Sequence, residues 1–308
     1  MKRALVVSIF VLALFQYASA QVISGSISGR LVDAQGAAIA GATVTASETS
    51  RNVAVTAKSN EQGDFVFPAL PTGTYSVVAE VSGFKKFQRL NIALDVNDKL
   101  ALGTIVMEVG TLAESIEVSA QATSLQTESV ERSATINSRQ IENIEVNGRN
   151  PLDMTRLIPG VVNTATFQVA GAGGIGNIQA NGNRGSANQL MINGIGNLDT
   201  GSNGSQNVTV SLDSTSEFKV LTGMYQAEYG RNAGAQISVV TKSGSEQIHG
   251  SGYFYHRHDD LNANTWYNNA RGLPRALYRY NDPGYTVGGP VLIPKLIKKD
   301  KLFFFWSQ

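Results

Sequence analysis

The densest grouping of ligand-type side chains lies late in the sequence, where His249, His256, His258, Asp259 and Asp260 fall within twelve residues. If that stretch is a strand, alternation puts His256 and His258 on one face, a spacing able to chelate a cation with Asp259 beside them. Polar residues where a strand leaves a membrane give the same pattern with no metal. Those three His are all the chain has, and no Gly-x-Ser-x-Gly elbow accompanies them, so a hydrolytic triad has nothing to be built from. Gly171-Ala172-Gly173-Gly174-Ile175-Gly176 is a formal dinucleotide fingerprint, but no strand leads into it and no helix follows. The 308 residues include no Cys, which removes disulfides, thiolate catalysis and Cys-ligated zinc together. With 25 basic against 24 acidic residues and no Lys/Arg stripe, a nucleic-acid partner is excluded. The expectation is a protein with no catalytic residue and no cofactor, His256, His258 and Asp259 being its only metal candidates.

The elements around these residues are those of a mainly β chain with some α. Gly is frequent, at 31 residues, and charged residues are 16% against an average of about 25%, which favours turns and strands over salt-bridged helices. Lys2 and Arg3, an apolar run from Leu5 to Phe15 and the small residues Ala18-Ser19-Ala20 read as a signal peptide over 1–20, with export and a mature start at Gln21. That run is too short to span a bilayer as a helix, which takes about 20 residues, and no other segment is long and apolar enough, so any later crossing must use strands.

From residue 21 to 110 the pattern predicts seven strands of an all-β sandwich: Ser26–Val32, Ala42–Ser47, Val53–Lys58, Asp64–Phe67, Thr74–Val81, Arg89–Val96 and Lys99–Glu108. Between Thr111 and Glu145 acidic residues dominate with little apolar periodicity, reading as an extended, mobile connector. A short helix is expected from Pro151 to Ile158, with Asn150 as its N-cap and Pro159-Gly160 as its stop. The Gly- and Asn-rich stretch from Ala170 to Gly204 reads as too poor in apolar residues to make its own core.

Ile27-Ser28-Gly29-Arg30-Leu31-Val32-Asp33, Gly41-Ala42-Thr43-Val44, Gly63-Asp64-Phe65-Val66-Phe67 and Leu70-Pro71-Thr72-Gly73-Thr74-Tyr75 resemble the carboxypeptidase-regulatory-like domain. A peptidase does not follow, since no His-x-x-Glu pair exists to hold zinc; the module is a spacer or binding sandwich. Asp33, Asp64 and Asp95 are open to a turn role or to calcium. Within the linker 111–123, Glu114, Ser115, Ile116, Glu117 and Val118 resemble a TonB box, and their alternation suits strand addition to a partner's sheet edge; a last strand or plain linker is the alternative.

Over 124–244, five ordered motifs resemble the plug domain of TonB-dependent receptors, closest to the Oar-like branch: Asn181-Gly182-Asn183-Arg184-Gly185, Gln189-Leu190-Met191-Ile192-Asn193-Gly194, Glu217-Phe218-Lys219-Val220, Ala227 to Gly234 and Ile237 to Gly244. Asn193 stands where many plugs have Asp, a change the turn tolerates. The resemblance implies charge contacts from Arg184, Glu217 and Arg231 to a barrel wall; solvated surface charge, with Arg231 and Glu217 paired inside the plug, is the alternative.

Residues 245–308 then read as the start of a transmembrane β-barrel, with strands at Ile248–Arg257, Gly284–Val291 and Lys301–Gln308. A plugged transporter takes 22 strands of about 10 residues, so this stretch makes an incomplete barrel and the chain reads as a fragment. The resemblance implies an outer-membrane receptor of a Gram-negative bacterium, its first domains on the periplasmic side. The TonB complex would be a partner, driven by the proton gradient, and a small ligand such as a siderophore, oligosaccharide or peptide the cargo. The rival reading is a periplasmic or surface binding or adhesion module left from a truncated receptor gene.

Overall fold

The computed structural model describes residues 24–110, 115–119, 129–146, 148–165, 174–229, 232–292 and 302–308. The expected signal peptide lies outside the described residues.

The first unit is the expected seven-stranded sandwich. Strands β1 (Ser24–Val32), β4 (Asp64–Pro71) and β7 (Lys99–Val106) form one sheet in the order β4-β1-β7. Strands β2 (Thr43–Glu48), β3 (Val53–Lys58), β5 (Gly73–Glu80) and β6 (Lys86–Leu94) form the other in the order β3-β2-β5-β6. Period-two alternation sends Tyr75, Val77 and Ala79 of β5 inward onto Ile27, Leu31, Phe67 and Leu100 of the facing sheet. Strand β4 runs past its expected end at Phe67 because Leu70 is fully buried, and Pro68 is tolerated since β4 is an edge strand that needs fewer N–H donors. The Asp33 carboxylate accepts from the amides of Gln35 and Ala37 at 2.9 and 2.8 Å, which makes it a turn residue.

The stretch read as a mobile connector is partly ordered. Strand β8 (Ser115–Ser119) adds parallel to β6 at the margin of the sandwich, and strand β9 (Arg132–Asn137) leads into a helix over Ser138–Asn143. A reciprocal capping box starts that helix: the Asn137 side chain accepts from the Gln140 amide at 3.0 Å, and the Gln140 side chain accepts from the Asn137 amide at 3.1 Å. Strand β9 lacks periodicity because it is an edge strand that buries only Ile136.

The middle unit is α+β. Besides the pair β10 (Val161–Asn163) and β11 (Ile178–Ala180), it holds β12 (Gln189–Ile192), β13 (Ile195–Gly196), β14 (Thr215–Gly223) and β15 (Gln236–Thr241). These join β9 in a five-stranded mixed sheet of order β13-β12-β15-β14-β9. Asn193 and Gly194, at φ 49° and 77°, make the tight turn between β12 and β13. Residues Pro151–Leu157 form the expected helix as a 3₁₀ segment, its N-cap Asn150 accepting from the Leu152 amide at 3.0 Å. As expected, the Gly-rich stretch makes no core of its own: Ile175, Ile178, Ala180, Leu190 and Leu198 pack into a core shared with Phe218, Val220 and Ile237 of β14 and β15.

The tail is an antiparallel sheet of β16 (His249–His258), β17 (Arg279–Pro290) and β18 (Phe303–Ser307) in that order. Phe254, Phe304 and Trp306 are exposed on it, the arrangement of a wall facing lipid.

Candidate functional site

Strand β14 is buried on both faces, which an antiparallel strand is only when something covers its second side. Phe218 and Val220 point into the core, and the intervening Glu217 and Lys219 meet the sandwich. Lys219 is 1% exposed; its ammonium donates to the Val96 carbonyl and to the Asp98 carboxylate, both at 2.6 Å. The Glu217 carboxyl accepts from the Val96 amide at 2.9 Å. The sandwich presents its β6–β7 turn here, closed by the Asp98 amide donating to the Asp95 carbonyl at 3.2 Å and carrying Asn97 at φ 56°. Tyr229 reaches the same turn through the Asn97 side chain.

Asp95, Asp98 and Glu217 thus surround a single ammonium. Burial, and then the neighbouring Asp95 charge, push Glu217 up to about 8, against the opposing pull of the Val96 amide and Lys219. Burial raises Asp95 as well, followed by repulsion from Asp98. Both shifts favour the protonated acids, which lowers the surplus negative charge of the joint.

A second joint lies between the middle unit and the tail. Arg149, in left-handed backbone at φ 55°, donates to the Asp213 carboxylate at 2.7 Å, and its guanidinium stacks 4.1 Å from the ring centre of Tyr255 on β16. Asp213 sits in a 3₁₀ turn, Leu212–Ser214, capped by the Ser211 hydroxyl. Gly244 marks the crossing of backbones: a Cβ there would overlap the Phe304 and Gly289 carbonyl oxygens of the tail sheet.

The expected site residues separate between these places. Glu114 and Arg231 lie outside the described residues. Ser115, Ile116, Glu117 and Val118 fall on β8, opposite Lys86, Phe87, Gln88 and Arg89 of β6. Arg184 is exposed, just before the short turn Gly185–Ala187. Glu217 bonds the sandwich. Among the described residues, the ligand-type atoms that converge are those of His258, Asp259 and Asp260, without His256. His256 shares its Nδ1 with the Asn281 side chain at 2.6 Å across the strand pair, and His258 Nδ1 accepts from the Asp260 amide at 3.1 Å as an N-cap. Arg275 donates to the carbonyls of Asp259 and Asn262 and places its own charge 3.9 Å from Asp260, so the cluster reads as a capped corner. Lys219, Asp98, Arg149 and Asp213 were not singled out from sequence. Lys219 sits in a charged-apolar alternation that ordinarily faces water, and nothing in the sequence links Arg149 to a partner 64 positions away.

Residues 26–108 match the carboxypeptidase regulatory-like domain, 114–235 the TonB-dependent receptor plug domain and 240–308 an outer membrane beta barrel domain. The TonB-dependent transporter Oar of Myxococcus xanthus is 27% identical over 298 residues, covering 92% of this chain. The three units are those of an Oar-like TonB-dependent outer-membrane receptor. The chain spans 26% of that relative's length. Among solved structures, the siderophore receptor PirA of Acinetobacter baumannii is 20% identical, with a TM-score of 0.36 over 52% of this chain and 22% of its own. A ferric enterobactin receptor mutant of Pseudomonas aeruginosa is 16% identical, with a TM-score of 0.36 and the same coverage. The middle unit is the plug, and the chain belongs to the outer membrane of a Gram-negative bacterium. The curated relative is a transporter, and the matched plug domain is that of receptors.

Proposed function

We propose that the plug gates energy-coupled uptake of a small ligand, with TonB engaging the 114–118 segment from the periplasm and supplying energy by pulling. The observation that carries this reading is the double fastening of the plug: Lys219 and Glu217 hold β14 to the sandwich, and Arg149, just before the 3₁₀ segment, stacks on Tyr255 of β16. The first is ionic and hydrogen-bonded, and the second is a cation–π stack made by a guanidinium that the plug's own Asp213 holds in place, so both can reform with the same partners. Siderophores, oligosaccharides and peptides are the ligand classes we would screen first.

Replacing Ile116 or Val118 by Pro removes a backbone donor and disfavours strand pairing at that position. Purified protein carrying either change should lose binding to the periplasmic domain of TonB, and cells carrying it in the complete receptor should lose uptake while still binding ligand. Unchanged TonB binding would overturn the reading.

A further inference from the structure

The 115–119 segment is not loose in this structure. It is the outermost strand of the sandwich, parallel to β6, in register from Lys86↔Ser115 to Leu90↔Ser119. Ile116 and Val118, the two apolar residues a partner's pockets would read, stand opposite Phe87 and Arg89. The sandwich is itself fixed to the plug through Lys219 and the Asp95–Asp98 turn. Beyond Ser119, the residues 120–131 connect to Arg132, the first residue of β9, which is the edge strand of the plug sheet.

We propose that the carboxypeptidase-regulatory-like sandwich is a holder that keeps the coupling segment as its own edge strand, so that a partner presenting an open β-edge must take it from β6 before it can pull on the plug. This rests on the TonB reading above and adds its regulation. A five-residue parallel strand at a sheet margin shares only a few backbone hydrogen bonds, each contributing modestly, so the pairing is exchangeable. The connectivity gives the exchange a purpose. While β8 stays on β6, tension on the segment enters the sandwich. Once it leaves, tension runs along 120–131 into β9. Strand addition supplies the chemistry of the exchange, because a partner's edge offers the same backbone groups that β6 offers.

The absence of cysteine from the chain makes a clean test possible. Leu90 and Ser119 are register partners and Ser119 lies just outside the 114–118 segment, so the double variant L90C/S119C should form a disulfide on mild oxidation of the folded protein. The reduced form should bind the purified periplasmic domain of TonB, and the oxidised form should bind it at least about tenfold more weakly, because the competent state is covalently withheld. Equal binding by both forms would overturn the holder while leaving the TonB assignment standing. Binding by neither form would overturn both, and failure of the disulfide to form would show that β8 does not rest on β6.

Discussion

The two joints of the plug solve the same problem with opposite charge arithmetic. Toward the tail, one guanidinium meets one carboxylate and an aromatic face; toward the sandwich, one ammonium serves three carboxyl groups. The first is balanced as built. The second is balanced only when protons are taken up, so the sandwich joint responds to pH through its own composition while the tail joint depends on geometry.

The largest effect should come from Lys219→Ala, which strands Asp98, Asp95 and Glu217 without a counter-charge. Breaking a buried pair in this way costs about 3–5 kcal/mol, and urea unfolding should show the sandwich and plug melting apart. If they still unfold together at the original midpoint, Lys219 is not the fastening. Arg149→Ala should follow, at about 2–3 kcal/mol for a partly buried ion pair with its aromatic contact. It should leave the sandwich–plug contact intact, which limited proteolysis between residues 110 and 132 would report.

The pH dependence separates the joints next. The fold favours the neutral form of Glu217, whose ordinary value is 4.5 and whose folded value is about 8. The native state therefore binds more protons than the unfolded one in that window, and stability falls as pH rises from about 4.5 to about 8. Below that window the stabilisation is fully present. Glu217→Gln should flatten this slope at little cost near pH 7, whereas Arg149→Ala should keep it; a slope unchanged in Glu217→Gln would place the titrating group elsewhere. The smallest effect is expected from exposed Arg184→Ala, within about 0.5 kcal/mol by thermal denaturation.

Much of this architecture was legible in the chain itself. Alternation in Thr74–Val81 set the inward face of β5, and the Asn150-Pro151 pair located the helical turn that follows. What escaped is instructive. Strand β9 has one buried residue and is held by its neighbour's backbone, so no side-chain pattern announces it. His256 and His258 do lie along one strand, with rings 6.0 Å apart, but hydrogen bonds to Asn281 and to the Asp260 amide engage them separately, and a strand period carries no information about cross-strand neighbours. Glu217 was open to a barrel-wall contact or to solvent, and its partner is neither, because the body that covers it and Lys219 is a domain more than a hundred residues earlier. Sequence periodicity reports that a face is polar; only the fold reports whether water reaches it.

One last consequence concerns β9. In the register of the plug sheet, Asn137 stands opposite Glu217 and Thr135 opposite Lys219. Stripping this strand away would open the flank of β14 beside the very side chains that grip the sandwich, admitting solvent to a dry salt link. Mechanical work on one border of the sheet would thereby be converted into hydration of ions at its centre, and the sandwich would be let go by water instead of by force.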